Sequence, residues 1–312
     1  MILIHTRLTD ETTIEIIRWL SVNQKEFKRI NFSNEFFYSI SDQSKGLQLG
    51  AEKSNLLHQF RSFYFNGGNV LSDIKPAKNE FENHLIAKYL NAESDAIFSY
   101  LEEMLPGSGF GNYSFRTYPN KLSTLLLADK IGLNIPPTSV VTTKKQVREL
   151  KLKWNRIITK AIALGIDLES EEYILNGQRT EEVKDENIDI MSEYFSPSLI
   201  QKYIVKKFEV RVFWYNGTLK SVAIIPLKKK PAQIDFRSDR ESLRMIPYTL
   251  KKETTSKINL LMTSLKMNYA SIDLVVDEND NHIFLEVNPY GQYGFLSYAA
   301  NFQLEKMIAN II

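Results

Sequence analysis

Over the first 110 residues, short apolar runs alternate with segments whose apolar residues recur at helical spacing. The runs from Ile2 to His5, from Lys28 to Phe32 and from Phe63 to Phe65 predict strands, and the segment from Thr13 to Leu20 predicts a helix between the first two. Two further helices are predicted at residues 79–90 and 92–105. This alternation of strand and helix indicates an α/β beginning.

The pattern breaks at a glycine-rich stretch from Pro106 to Gly111. The stretch lacks the Gly-Lys-Ser/Thr ending of a phosphate-binding loop and no strand precedes it, so we interpret it as a linker. A helix from Lys121 to Gly132 follows, and then a connector into a strand from Ile135 to Val141. We therefore place a domain boundary near residue 111.

Composition narrows the class of protein. The 312 residues are 43% hydrophobic and 24% charged, which is typical of a globular protein and excludes disorder for most of the chain. The formal net charge of +2 does not favour nucleic-acid binding. There is no cysteine, and the four histidines are scattered without ligand spacing. Apolar runs are too short for a membrane span, and no basic segment precedes the first strand, so we expect a cytoplasmic protein without a signal peptide.

Charge is nevertheless divided locally in the second half. Residues 167–193 contain ten acidic and two basic residues, a net charge of −8, whereas residues 202–252 contain thirteen basic and four acidic residues, a net charge of +9. Two solvent-exposed faces of one domain, one acidic and one basic, would explain this division of charge. Because the basic run is interleaved with β-rich sequence, a pocket for phosphates or for an acidic substrate is the alternative.

A hairpin pattern near the C-terminus contains paired carboxylates. If Asn279 and Asp280 form the turn, Asp273 lies directly opposite Glu286, and Asn288 points to the same face as Glu286. Two opposed carboxylates repel unless a cation neutralises them, and two acids with one amide suit Mg²⁺. A solvated face, with one carboxylate bonded to a lysine or arginine, is the equally weighted alternative.

Four further residues, in three segments, have both a structural and a functional interpretation. Lys160 closes an apolar strand, where it would either face a phosphate or extend to the surface. Glu209 and Arg211 share one face of a strand, which is compatible with a structural ion pair. Arg237, in an Asp-Phe-Arg sequence within the basic run, by itself indicates only a loop.

Taken in chain order, these segments resemble the ATP-grasp ligases over residues 112–312. The resemblance is closest to the peptide-modifying ligases of the microviridin or graspetide type, and in particular to the maturases of grasp-with-spasm systems. It rests on the sequences Asn120 to Thr138, Ile200 to Arg211, Asp235 to Arg237 and Glu286-Val-Asn-Pro-Tyr-Gly-Gln292. It implies an α/β ATP-grasp fold with a small N-terminal α/β domain at 1–111, a central subdomain at 112–198 and a C-terminal subdomain with the metal site at 199–312.

The resemblance also implies a role for each matching residue. Magnesium would be bound by Asp273, Glu286 and Asn288. Arg211 would face the phosphates or an acyl phosphate, and Arg237 would neutralise the activated carboxylate. ATP would be bound at its phosphates by Lys160, at its adenine by Gln201, Tyr203 and Ile204, and at its ribose by Glu209, with Lys121 also in the nucleotide site. The glycine-rich phosphate flap common in the family is reduced here, which leaves an acidic hairpin from Glu171 to Thr180 as a candidate peptide-binding element.

The implied activity is an ATP-dependent and Mg²⁺-dependent ligation. The enzyme would form side-chain ester or amide bonds in a ribosomally made precursor peptide, which has a leader and a core, through an acyl phosphate. Two alternatives stay open: a ligase that adds an amino acid to a protein terminus or to a small acid, and a catalytically idle nucleotide-binding or peptide-binding scaffold. A homodimer is suggested by the family likeness alone.

Overall fold

The computed structural model of the chain describes residues 1–6, 10–31, 38–39, 48–49, 59–66, 108–111, 119–163, 168–169, 174–175, 180–227 and 243–312. From residue 82 to residue 104 it describes some positions only, and these are helical. These residues form three main sheets with helices packed on them. No helix within these ranges has both the length and the apolar character needed to cross a bilayer.

The N-terminal residues form a parallel sheet with one helix after its first strand. The elements in this part of the chain are β1 (Ile2–Thr6), α1 (Glu11–Val22), β2 (Phe27–Asn31), β3 (Tyr38–Ser39), β4 (Gln48–Leu49), β5 (Ser62–Phe65) and β6 (Gly109–Phe110). Strands β3 and β4 form a separate antiparallel pair. The strand order is β2-β1-β5-β6. The predicted strands and first helix are confirmed to within two residues at each end. The described positions from 82 to 104 are helical, and the rest of the two predicted helices lies outside the described residues.

Strand β6 shows that the interpretation of residues 106–111 as a linker is wrong for its second half. Gly109 and Phe110 pair with β5, and Phe110 is completely buried, with its ring centroid 4.4 Å from that of Tyr269. A Cβ atom on Gly109 would lie 2.4 Å from the ring of Phe63, so the close approach requires glycine. A two-residue strand has no detectable periodicity, which is why the sequence pattern indicated a break here.

The middle of the chain forms an antiparallel four-stranded sheet. Its elements are α2 (Lys121–Ile131), β7 (Thr138–Thr143), α3 (Lys144–Trp154), β8 (Ile157–Lys160), β9 (Leu168–Glu169), β10 (Ile174–Leu175), β11 (Glu181–Glu182), α4 (Asp185–Ile190) and β12 (Tyr194–Lys202). The strand order is β11-β8-β12-β7, and β9 and β10 pair separately as a short hairpin. The acidic hairpin was predicted from Glu171 to Thr180, whereas the observed hairpin begins at Leu168 and therefore lies earlier in the chain. The division of the chain at residues 111 and 198 stays a prediction, and β12 runs across the second position.

The C-terminal residues form an antiparallel five-stranded sheet. Its elements are β13 (Lys206–Tyr215), β14 (Thr218–Pro226), β15 (Leu243–Pro247), α5 (Lys252–Ser264), β16 (Tyr269–Asp277), β17 (His282–Asn288), α6 (Gly294–Ala300) and α7 (Leu304–Ile311). The strand order is β15-β14-β13-β16-β17. Alternate residues of β13 point to opposite faces: Val212 and Trp214 pack towards α2 and α5, whereas Phe213 and Tyr215 pack against Phe110 and the N-terminal sheet.

The hairpin of β16 and β17 brings Asp273 opposite Glu286, as predicted, although the predicted two-residue turn is wrong. The strands separate at Asp277 and meet again at His282, and the pairs nearest the turn are offset by one residue from the predicted register. A bulge at Leu285 adds one residue to β17 and restores the predicted pairing from Asp273 onward.

Two glycines with positive φ allow a test of how closely the backbone after β6 approaches the end of β5. Gly111 has φ +100, and a Cβ atom there would lie 2.0 Å from the carbonyl oxygen of Phe65; Gly217 has φ +87 and no atom within 4 Å of such a Cβ. We expect Gly217→Ala to lower the free energy of unfolding by about 1 kcal/mol, the cost of a left-handed conformation alone. Gly111→Ala should cost at least about 2 kcal/mol more, because backbone must move. Urea unfolding of both variants measures the difference, and equal losses would contradict the close approach.

Candidate functional site

A cleft lies between the four-stranded and five-stranded sheets. It holds about 770 Å³ of space free of atoms, a volume that includes the solvent at its open mouth. Its lining residues come from both sheets and from the segment that joins β12 to β13: Pro136, Ile158, Lys160, Thr180, Gln201, Lys202, Tyr203, Ile204, Lys206, Glu209, Arg211, Asp273, Val275, Leu285 and Glu286.

The structure brings ten of the eleven predicted site residues to this cleft. Eight of them line it: Lys160, Gln201, Tyr203, Ile204, Glu209, Arg211, Asp273 and Glu286. Lys121 and Asn288 reach the cleft by contacting Glu286. Arg237 lies outside the described residues, so its placement stays a prediction. The roles of all eleven residues also stay predictions.

Asp273, Glu286 and Asn288 form a carboxylate–amide cluster at one end of the cleft. The side-chain nitrogen of Asn288 donates to Asp273 Oδ2 at 3.0 Å and to Glu286 Oε1 at 3.4 Å. An amide N–H between two carboxylates marks the most negative point of the cluster. A cation could take the place of this N–H group if the Asn288 amide rotated by half a turn, so that its oxygen became a ligand. Among the described residues, no group of three or more histidine and acidic side chains is arranged to hold a metal ion, so this site offers two carboxylates.

Three cationic side chains surround the carboxylates. Lys160 Nζ lies 3.8 Å and Lys121 Nζ 3.9 Å from Glu286 Oε2, and Arg211 Nε lies 2.7 Å from Asp273 Oδ1. The Nε–H of Arg211 is not aligned for a hydrogen bond to Asp273, so the contact is an ion pair without a hydrogen bond from Nε. At these distances neither lysine forms a tight ion pair with Glu286.

Burial and charge act in opposite directions on Lys160 and Glu286. Burial lowers the pKa of Lys160, and the charge of Glu286 opposes that shift. Burial opposes ionisation of Glu286, but the charges of Lys160 and Lys121 hold its pKa below its usual value. Lys160 is only 8% exposed, so the alternative in which it extends to the surface is wrong. An anion entering the cleft would meet this buried ammonium with little screening by solvent.

The other end of the cleft has an apolar wall and a fixed backbone. Ile158, Val275 and Leu285 supply apolar surface. Gln201 is 1% exposed and donates to Thr138 Oγ1 at 2.8 Å, and the backbone N–H of Lys202 donates to the carbonyl of Pro137. An aromatic base would fit such a slot, in which backbone groups and a few polar side chains set its orientation.

Glu209 and Arg211 pair with different residues. Glu209 contacts Lys206 Nζ at 2.5 Å, whereas Arg211 contacts Asp273 on the adjacent strand. The sequence analysis missed Lys206, although it lies three residues before Glu209. It also missed Val275, which strand alternation from Asp273 places on the same face of β16. Leu285 could not be found in this way, because it lies at the bulge.

Comparisons with known proteins relate this site to solved structures. No protein-family model matches the sequence, and no curated protein matches it. The structure of the macrocyclase MdnC from Microcystis aeruginosa, bound with the precursor peptide MdnA, aligns with a TM-score of 0.82 at 22% identity, covering 100% of this chain and 98% of that chain. A RiPP-associated ATP-grasp ligase from Chryseobacterium gregarium, in complex with ADP and a leader and core peptide, aligns with a TM-score of 0.80 at 21% identity, covering 99% and 95%.

The ATP-grasp ligase PsnB, complexed with a minimal precursor, Mg and ADP, aligns with a TM-score of 0.76 at 17% identity, covering 99% of this chain and 95% of that chain. All three alignments extend over nearly the whole of both chains, so they include the N-terminal sheet, which lies outside residues 112–312, where the sequence resemblance was found. The chain therefore has the ATP-grasp fold, in the α/β class that its sequence predicts.

Proposed function

We propose that the protein is an ATP-dependent ligase that forms side-chain ester or amide bonds in a precursor peptide. The observation that carries this proposal is the cleft itself, in which a carboxylate pair faces three cationic side chains at one end and an apolar slot lies at the other. Solved structures with this fold contain ADP, Mg and peptides in the complexes described above. A nucleotide has the same division into a charged and an apolar aromatic end.

The residues present fit magnesium. Asp273, Glu286 and Asn288 would hold it, since carboxylate and amide oxygens are the ligands that this hard cation prefers. Two carboxylates leave coordination positions for phosphate oxygens. Once bound, magnesium supplies positive charge that neutralises phosphate oxygens as negative charge develops on them.

The residues around the cleft fit the rest of the nucleotide. Lys160 and Lys121 would face the phosphates, and Glu209 would accept hydrogen bonds from the ribose once it exchanges Lys206 for the sugar hydroxyls. Gln201, Tyr203 and Ile204 would enclose the adenine against Val275 and Leu285.

The reaction we propose needs positioned charges and no nucleophilic side chain. A substrate carboxylate attacks the γ-phosphorus, ADP leaves, and an acyl phosphate forms. A hydroxyl or amine of the peptide then displaces inorganic phosphate, so each bond formed removes one water from the peptide. Arg211, held beside Asp273, would neutralise the transferring group, and electrostatic preorganisation of this kind is a major source of rate enhancement.

The peptide would bind outside the nucleotide cleft. We propose that Arg237 holds the reacting carboxylate, since a guanidinium can grip a carboxylate with two hydrogen bonds. The short hairpin of β9 and β10 would contact the leader or the core. A cytoplasmic location, where ATP and new peptides are available, and a homodimer are also part of this proposal.

The function can be tested by incubating the protein with ATP, Mg²⁺ and a short Ser/Thr/Asp/Glu-rich peptide encoded beside its gene. We expect ATP-dependent loss of one water per bond, detected by mass spectrometry. A gain of one residue in mass would instead support an amino-acid ligase. Nucleotide binding with no turnover in the presence of the peptide would support the scaffold alternative.

The carboxylate pair gives a direct prediction. Asp273→Asn and Glu286→Gln should each reduce peptide modification by about 100-fold or more, because each removes one of two charges that balance the metal. Modification rates across a magnesium titration measure the effect, with thermal melts to show that the fold is kept. Glu278→Gln, at the exposed turn of the same hairpin, is the matched control. Wild-type rate and magnesium dependence in the first two variants would remove the hairpin from the active site.

Lys160 provides a test of the phosphate end. Lys160→Ala should weaken binding of a non-hydrolysable ATP analogue by about tenfold or more, since the buried ammonium meets little screening. Lys207→Ala, which removes a more exposed lysine paired with Asp280, should leave the affinity unchanged. Calorimetric titration measures both, and equal affinities for the two variants would contradict the role of Lys160.

A further inference from the structure

Arg156 connects three segments of the chain at the apolar end of the cleft. Its Nε lies 2.7 Å from Glu182 Oε1 and its Nη2 lies 2.8 Å from Glu182 Oε2, so the ion pair is bidentate. Its guanidinium carbon lies 3.7 Å from the centroid of the Tyr203 ring. Its carbonyl accepts a hydrogen bond from the backbone N–H of Tyr203 at 2.9 Å.

This geometry fixes the plane of the guanidinium. Two parallel hydrogen bonds to one carboxylate leave the group no freedom to rotate, and the flat group then covers one face of the tyrosine ring. The pKa of Glu182 is lowered and that of Arg156 is raised, each chiefly by the hydrogen bonds between them, which agrees with a well-formed pair. The Arg156 side chain is 39% exposed and that of Glu182 is 15% exposed, so the pair is partly shielded from water.

The three segments all border the cleft. Tyr203 lines it and belongs to the connection between β12 and β13, which joins the two sheets. Thr180 also lines it and lies two residues before Glu182 on the same short segment. Arg156 is outside the lining itself, immediately before β8, which ends at Lys160.

We propose that Arg156, anchored by Glu182, is a positioning residue that fixes the ring of Tyr203 and so sets the shape of the slot for the nucleotide base. This inference rests on the proposed function, because it takes the occupant of the slot to be a nucleotide. Without the guanidinium, the ring would lose the contact that covers one of its faces. The slot would then have to be ordered each time a base enters, at a cost in affinity.

The test measures nucleotide affinity and kinetics in three variants of the full-length chain. Arg156→Ala, Arg156→Lys and Glu182→Gln should each weaken ADP binding by about five- to tenfold, in keeping with the loss of a partly exposed cation–π contact and its anchor. In peptide modification, KM for ATP should rise by the same factor, while kcat at saturating ATP changes by less than about twofold. Lysine should not rescue alanine, because it neither stacks flat nor makes two hydrogen bonds.

A matched control is an ion pair between the helices α3 and α4. Arg148 and Asp189 form an exposed single-contact ion pair at 3.2 Å, and Arg148→Ala should leave ADP affinity at the wild-type value. A double variant tests whether Arg156 acts on ADP binding through Tyr203. If it does, Arg156→Ala combined with Tyr203→Ala should weaken ADP binding no further than Tyr203→Ala alone.

Several outcomes would overturn the inference. Arg156→Lys binding ADP as tightly as the wild type would show that only charge matters, and lower melting temperatures with unchanged KM for ATP would show a purely structural role. A loss of affinity in Arg148→Ala equal to that in Arg156→Ala would show a general charge effect. Failure of the wild type to bind any nucleotide is distinguishable from these results, because it would overturn the proposed function first.

Discussion

The site depends on the alternation of side chains along β13 and β16, because one face of the five-stranded sheet serves two purposes. Phe213 and Tyr269 pack into the aromatic cluster around Phe110 at one end of that face, whereas Arg211 and Asp273, two and four residues further along these strands, face the cleft. A slip of one residue in either strand would exchange buried and polar positions. The aromatic packing therefore holds the register on which the charged groups depend.

The charged groups at the site largely compensate one another, with one positive charge in excess. Two carboxylates and three cationic side chains lie within a few ångströms of one another, and burial alone would disfavour each of them. Removing one carboxylate would leave three cationic side chains facing a single acidic one, so the cationic side chains depend on both carboxylates. A bound polyanion together with a divalent cation could be accommodated by rearranging these pairs, without bringing in a new charged side chain.

The sequence predicted those parts of the fold and of the site that obey a period or a motif. The strands and first helix of the N-terminal sheet follow apolar spacing, and the pairing of Asp273 with Glu286 follows from the hairpin pattern, although the bulge at Leu285 compensated for a wrong turn. Strand β6 has no period. The contacts of Arg156 with Glu182 and Tyr203 join segments far apart in the chain, and nothing local to any of them marks the others.

The aromatic cluster also draws the two ends of the chain into one core. Ile2 and Ile4 belong to the same buried cluster as Leu304 and Ile308, and Lys25 Nζ donates to the carbonyls of Ala309 and Asn310 at the end of α7. During synthesis, the first strand can pack early against α1 and β5, whereas Leu304 and Ile308 complete the same cluster only once α7 has been made. Native contacts over such a large sequence separation are slow to form and leave the early strands open to aggregation. The apolar surface of the N-terminal sheet is therefore fully covered only when these late residues arrive, and their arrival closes the period in which that surface can aggregate.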